Sequence, residues 1–318
     1  MLKKTKFMNS PLIFRQTIKN LTLSMLFLPL LLIITACNNS SISSKTYKIG
    51  YMICNSSKET EERFLVLNKY LEKETGYRFK FYAVDTVDFE EAFKKEQFDF
   101  IHTNPVLYII LKENYGLIPI VAEKNGIHGA RTFGTIIVRK DSPIKDIKDL
   151  KNKKMIFGPT FAPFGYITQL YLLMKNGIDP YKDLSIVYQP KHSFQHEKII
   201  YGVWFGAFDA GTAPFLDLEE MDKEGKIKLE EDFRIIAKSD LLPYCTYSAN
   251  KNLSAEVIDK VKKALLKLNK DTTVEINNQK LNIFKQAKIE GYEPIEDKDY
   301  DKMREILKYI NFPPYQKY

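Results

Sequence analysis

Phe98-Asp-Phe-Ile-His-Thr-Asn-Pro105 holds a strand, its end and the start of a helix in eight residues. The alternation in Phe98-Asp-Phe-Ile101 predicts a strand. Asn104 is a good N-cap, because its side-chain oxygen can accept from an orphan N–H of the first helical turn. Pro105 suits the first helical position, where its missing N–H costs nothing and its φ is already helical. The helix so opened should stop near Gly116, which tolerates the left-handed conformation of a helix end. A strand running straight into a helix is the repeating unit of an α/β fold.

The rest of the chain repeats that unit. Upstream, 47–53 predicts a first strand, and Ser56-Ser-Lys-Glu59 has the form of a capping box. Phe64, Leu67, Tyr70 and Leu71 then recur at helical spacing as far as Gly76. A strand at 79–84, a helix from Asp88 to about 97, and a strand at 118–122 complete the first run. Downstream, 132–139 predicts a strand able to carry the chain across a hinge. A helical turn at 147–150, a strand at 155–157, a loop at 158–165 and a helix at 166–176 follow. Strands at 184–188 and 207–210 flank a helix at about 194–203, and 233–237 is a return strand. Ser254 caps a helix at 255–268, and a last helix spans 298–310. The alternation predicts a largely parallel sheet, and the lack of any fixed period excludes a solenoid.

The first 36 residues read as an address rather than as fold. Lys3, Lys4, Lys6, Arg15 and Lys19 precede an apolar run at 21–35, shorter than the roughly 20 residues that a spanning helix needs. Leu31-Leu-Ile-Ile-Thr-Ala-Cys37 then resembles the lipobox of bacterial lipoproteins. Cleavage before Cys37 would leave a diacylated thiol, and two acyl chains anchor stably where one does not. The expected organisation is a signal peptide at 1–36, a polar tether at 37–46, and a folded part on the periplasmic or extracellular face of a membrane.

Charge supports no nucleic-acid role. The net charge is +8, but five of the 48 bases and no acid lie in 1–36, leaving 43 bases against 40 acids beyond them. Acids and lysines are interspersed, and no basic stripe with interleaved aromatics occurs. Cys54 and Cys245 remain after the lipidated cysteine. A disulfide between them and two separate thiols are both open readings. No nucleophile elbow, Walker loop or HExxH motif points to catalysis, and no cofactor motif is present.

Three segments carry a family resemblance. Arg139-Lys-Asp-Ser-Pro-Ile-Lys-Asp-Ile-Lys-Asp-Leu-Lys-Asn-Lys-Lys-Met-Ile-Phe-Gly158 is similar to the opening of the second lobe in the phosphate/phosphite/phosphonate-type substrate-binding proteins of ABC transporters. His196, thirteen residues before Asp209 in Gly206-Ala-Phe-Asp-Ala-Gly211, resembles that family's histidine helix and following strand. Tyr292-Glu-Pro-Ile-Glu-Asp-Lys-Asp-Tyr-Asp-Lys-Met-Arg304 resembles its closing helix. The resemblance covers about 47–310. It implies a type II periplasmic-binding-protein fold, two α/β lobes joined by two crossover strands, with one lobe at 47–133 plus 240–318 and the other at 134–239. It implies a monomeric binding protein, not an enzyme, that hands a small solute to an ABC permease, with a sensor kinase as the alternative partner.

The resemblance also implies a site. It places Thr86, His102, Thr103, Asn104, Thr160, Phe164, Gly165, His196 and Asp209 at an interlobe cleft, and the position of Cys54 just past the first strand adds it to the set. Ala162-Pro163-Phe164-Gly165 departs from the family's hydroxyl-rich Ser-Thr-Ser-Gly loop, and Pro163 also removes a backbone donor. A site built for a phosphonate head would lose about 0.5–1.5 kcal/mol per neutral hydrogen bond removed. Phe161 and Phe164 suggest instead a more apolar wall. A metal or metal chelate held by His102, His128, His192 and His196 is the alternative ligand reading.

Overall fold

A computed structural model describes residues 45–190, 192 and 195–317. The signal segment, Cys37 and most of the tether lie outside the described residues. Strand β1 (Thr46–Met52) leads to helix α1 (Ser57–Thr75), where the Ser56 hydroxyl accepts from Glu59 N and Gly76 closes the end at φ 70°. Strand β2 (Arg78–Val84), helix α2 (Phe89–Glu96), strand β3 (Phe100–Thr103), helix α3 (Pro105–Tyr115) and strand β4 (Ile118–Glu123) follow. Asn104 caps α3 by accepting from Leu107 N at 2.9 Å, and Gly116 ends it at φ 77°. The short strand β5 (Arg131–Thr132) then carries the chain away.

The second lobe starts with β6 (Gly134–Arg139), a turn of 3-10 helix at Ile147–Leu150, and β7 (Lys154–Ile156). A π-helical turn, Pro163–Ile167, runs into α4 (Thr168–Lys175); α5 (Pro180–Asp183), β8 (Ile186–Tyr188) and α6 (His196–Trp204) come next. Strand β9 (Ala210–Pro214), helices α7 (Phe215–Lys223) and α8 (Leu229–Asp232), and strand β10 (Phe233–Lys238) complete it. The chain returns through β11 (Leu242–Pro243), which pairs antiparallel with β5. Strand β12 (Thr246–Ala249), helix α9 (Ala255–Lys267), the hairpin β13 (Thr273–Ile276) and β14 (Gln279–Asn282), helix α10 (Ile283–Ala287), strand β15 (Tyr292–Pro294) and helix α11 (Asp301–Tyr309) finish the first lobe.

Two mixed sheets result. The first has the order β15-β4-β12-β3-β1-β2 and the second β10-β6-β9-β7-β8. The expectation of a largely parallel arrangement holds only for the β2-β1-β3 and β8-β7-β9 triplets. Returning strands β12 and β15, and strands β6 and β10 of the second sheet, insert antiparallel. These insertions come from the chain crossing twice between lobes, which no local pattern encodes.

Apolar spacing explains the packing. Phe64, Leu67, Tyr70 and Leu71 of α1 are buried against Tyr47, Ile49 and Tyr51 of β1 and against Val261 and Leu265 of α9. Helix α3, buried along most of its length, packs with Ile101, Ile306 and Leu307. Ile199, Ile200 and Val203 of α6 cover Ile137, Ile156 and Ala213 of the second sheet. Burying each such aliphatic side chain contributes about 1.5–3 kcal/mol. No helix among the described residues is long and apolar enough to cross a membrane.

Candidate functional site

The carboxyl ends of both parallel triplets face one cavity of about 150 Å³. From the first lobe it is lined by the segment after β1 (Met52 to Asn55), Glu59, Arg63, Thr86, Asn104, Tyr244 and Cys245. From the second come the loop after β7, His196, and Pro214, Leu216, Asp217 and Glu220 after β9. Open α/β sheets place ligand crevices at such strand ends, where helix N-termini also converge. The lobes touch there: Asn104 Nδ2 donates to the carbonyl of Phe161 at 3.0 Å, while its Oδ1 caps α3.

The loop after β7 is folded tightly round His196. Gly158 N–H donates to the Gly165 carbonyl at 2.8 Å and to Thr212 Oγ1 at 3.1 Å, and the Thr212 hydroxyl donates to the same carbonyl. The imidazole fills the notch that the two glycines leave. A methyl at Gly165 would lie 2.3 Å from His196 Cε1, and one at Gly158 would lie 2.9 Å from it. His196 Nδ1 is buried without a hydrogen-bond partner. Burial alone pushes the imidazole pKa down to about 4, so near neutral pH the ring is uncharged. It can exchange a hydrogen bond with a solute but cannot pair a charge, which narrows the role the sequence allowed. Gly165→Ala should therefore expel the ring, costing about 1–3 kcal/mol of stability as overpacking does. Solute binding should fall together with the stability measured by chemical denaturation; unchanged binding would remove His196 from the site.

Across the cavity the first lobe contributes charge. Arg63 Nε donates to the carbonyl of Ala287 at 2.9 Å, and its Nη2 lies 3.6 Å from Glu123 Oε1. Glu123 Oε2 lies 2.9 Å from His102 Nε2, with both side chains almost wholly buried. Opposite them, burial first, and then the neighbouring Glu220 and Glu197, push the Asp217 carboxyl up to about 7. Glu59 and Lys288, 3.8 Å apart, also border the space. Cys54 and Cys245 both line the cavity as free thiols, and burial raises the Cys54 pKa to about 11. Such thiols are inert packing groups at neutral pH.

Of the residues picked from sequence, Cys54, Thr86, Asn104, Phe164, Gly165 and His196 line this cavity. Thr160 shares the loop but is not among the lining residues. His102 and Thr103 are displaced, because β3 runs on to Thr103 instead of ending at Ile101. That makes His102 a buried strand residue among Phe64, Tyr247 and Tyr51, with ring centroids 4.8–6.0 Å away. Asp209 falls at the wrong end. Strand β9 begins at Ala210, so Asp209 is exposed at its amino end and accepts from Lys154 N at 2.8 Å, while the cavity lies past Pro214. The four histidines do not converge either. His128 lies tilted beside Phe133 and Phe215, His192 is 70% exposed, and no metal-ready group of three or more His, Cys, Asp or Glu occurs among the described residues.

Arg63, Glu59, Asp217, Glu220, Tyr244 and Lys288 were missed. Arg63 sits in Glu61-Glu-Arg63 and Asp217 in Leu216-Asp-Leu-Glu-Glu220. Both read as the solvated faces of helices, and only the packing of the lobes turns them inward.

Two α/β lobes joined by two crossing strands, with a cavity at their facing strand ends, define a type II solute-binding protein. A sequence profile of the family described as "ABC transporter, phosphonate, periplasmic substrate-binding protein" matches residues 49–300, and the chain belongs to that family. It is 24% identical over 299 residues to the phosphate-import protein PhnD of Mycolicibacterium smegmatis, covering 86% of this chain and 91% of that one. It is also 24% identical over 234 residues to the tetrathionate sensor histidine kinase TtrS of Salmonella typhimurium, 69% of this chain but only 39% of the kinase. Among solved structures it resembles PhnD1 of Prochlorococcus marinus in complex with methylphosphonate, with TM-score 0.68, 19% identity, and 84% and 98% of the two chains covered. A Xanthomonas citri protein bound to ATP aligns with TM-score 0.66, 16% identity, and 84% and 98% covered. One fold therefore accommodates very different guests, and the ligand has to be argued from side chains.

Proposed function

We propose that this chain is the solute receptor of an ABC importer, held outside the cytoplasmic membrane by an acylated Cys37 and working as a monomer that closes on a small guest. The lobes that move are taken as 47–133 with 240–318, and 134–239. The observation that carries this reading is the cavity itself: both lobes line it, and Asn104 of one already bonds the Phe161 carbonyl of the other. A solute touching both walls favours the closed state to the extent of its differential affinity, and the permease reads that state. Binding and release are the chemistry this reading assigns to the cleft.

Phosphate or a simple phosphonate is not the guest this wall suits best. Ala162, Pro163 and Phe164 supply no hydroxyl, and the His196 imidazole is neutral. A thermal-shift and small-angle-scattering screen of the full-length protein in detergent tests the reading. A true ligand should raise the unfolding midpoint, by about 2.7 kcal/mol of added stability at a hundredfold excess over Kd. It should also reduce the radius of gyration. His196→Ala should abolish both responses and Asp209→Asn should leave them intact. Stabilisation that survives His196→Ala would move the site elsewhere. The 234-residue similarity to a sensor kinase favours a second reading, in which the closed form signals to a membrane receptor. Deleting the gene would then change a transcriptional response and leave solute uptake untouched.

A further inference from the structure

Arg63 enters the cavity with most of its hydrogen-bonding capacity unused. A guanidinium has five N–H donors. Here Nε is taken by the Ala287 carbonyl, and the 3.6 Å approach to Glu123 is an ion pair too long to be a hydrogen bond. The side chain is only 15% exposed, so its remaining donors have little water to turn to. Guanidinium donors that open onto a cavity wall without a protein acceptor point to an acceptor that arrives with the guest. Glu123 holds the guanidinium from behind and is itself braced by His102 Nε2 at 2.9 Å. Both are positioning residues, since neither lines the cavity.

The opposite wall has the reverse polarity. The Asp217 carboxylate makes no hydrogen bond or ion pair among the described residues, and Glu220 follows one turn later on α7. Cys54 lies within electrostatic reach of both Arg63 and Asp217, so the two charges border one space. A multiply charged anion would meet a single guanidinium while facing Glu59, Asp217 and Glu220, and with Glu123 already offsetting that guanidinium. A plain cation would leave the Arg63 donors unmet. A guest with one pole of each sign satisfies both walls. The cavity of about 150 Å³ keeps that guest small, since a dry cavity of that size accepts benzene.

We propose that the cleft takes a small zwitterion, its negative pole on the Arg63 guanidinium and its positive pole on the Asp217 carboxylate. This rests on the reading of the cavity as the solute site, and it assigns the anion to the first lobe instead of to the loop after β7. Titration calorimetry of the full-length protein in detergent tests it with β-alanine, taurine and betaine as zwitterions, acetate and methylphosphonate as anions, and ethylamine as cation. A zwitterion should bind at least tenfold tighter than acetate or ethylamine. Arg63→Lys keeps the charge beside Glu123 but loses the fork, and should weaken the zwitterion tenfold or more. Asp217→Asn breaks no contact of the fold, and should weaken the zwitterion while leaving acetate unchanged or tighter. A single cooperative melting transition in each variant will show that folding is intact. Failure of all three zwitterions to bind, or binding indifferent to both variants, overturns the proposal. Methylphosphonate binding that depends on His196 and ignores Arg63→Lys would overturn it while leaving the receptor function standing. Loss of solute-dependent closure with every probe would instead remove that function.

Discussion

Glu123→Ala will lower the unfolding free energy by about 3–5 kcal/mol, the cost of removing one partner from a buried ion pair. The carboxylate is 1% exposed and stands between Arg63 Nη2 at 3.6 Å and His102 Nε2 at 2.9 Å. Without it the guanidinium, only 15% exposed, loses the counter-charge behind it. Tyr51, Phe64 and Tyr247 surround His102 on its other sides. Total stabilities are about 5–15 kcal/mol, so this one side chain commands a large share. The melting midpoint should fall by roughly 10 °C, taking about 2–4 °C per kcal/mol for a chain approaching this size. Glu123→Gln, which keeps shape and can still accept a hydrogen bond, should cost distinctly less. Urea denaturation of the three proteins measures the ordering. A loss below about 1 kcal/mol for the alanine variant would mean that Arg63 and His102 have solvent or partners enough without Glu123.

His196 and Asp217 should imprint opposite pH dependences on stability. The folded imidazole pKa is held near 4 by burial, against 6.5 for the free side chain. Between those values the unfolded chain binds a proton that the folded chain refuses. The contribution of His196 is thus fully present above pH 6.5 and is lost as pH falls towards 4, to the order of 3 kcal/mol at 1.36 kcal/mol per unit. Asp217 runs the other way. Its folded pKa, raised to about 7 from 3.8, makes its contribution complete below pH 3.8 and lost as pH rises through 7. In the native protein the two trends mask one another, so single variants expose them. His196→Gln should gain stability relative to the native protein as pH drops from 6.5 to 4. Asp217→Asn should be the more stable protein at pH 8 and lose that lead on acidification. Parallel stability–pH curves for native protein and His196→Gln would show that the imidazole titrates in the folded state as it does in water.

The position of each strand end decided which sequence-derived site residues line the cavity. Asn104 was legible because cap, proline and helix stop form a local chemical pattern with a fixed offset. His196 was legible through a family spacing, and its placement at the first turn of α6 agrees. His102 and Asp209 lie off the cavity for the same reason in two places. Extending β3 by two residues turned His102 from a loop group into a sheet residue facing α1. Starting β9 at Ala210 put Asp209 at the far end of the strand from the cavity. Side chains on a strand alternate between faces, so small errors of register or extent change which surroundings a residue meets. Strand lengths in turn are set by ladder partners distant in sequence, such as Thr103 with Thr246 and Ala210 with Met155.

Sequence by itself determined the alternation of strands and helices, most caps and stops, the absence of a hydroxyl-bearing loop at 162–165, and the family. These follow from short-range rules, because apolar spacing, N-capping and left-handed glycines act within a few residues. Tertiary structure alone decided the mixed order of both sheets, the dispersal of the four histidines and the polarity of the cleft. Arg63, Glu123 and Asp217 lie far apart in the chain and look like surface charges in their own helices and strands. Folding the chain twice across the hinge sets Arg63 and Asp217 round one small space, with Glu123 behind the guanidinium. Their meaning comes from desolvation and from one another's fields, which exist only once the lobes have packed.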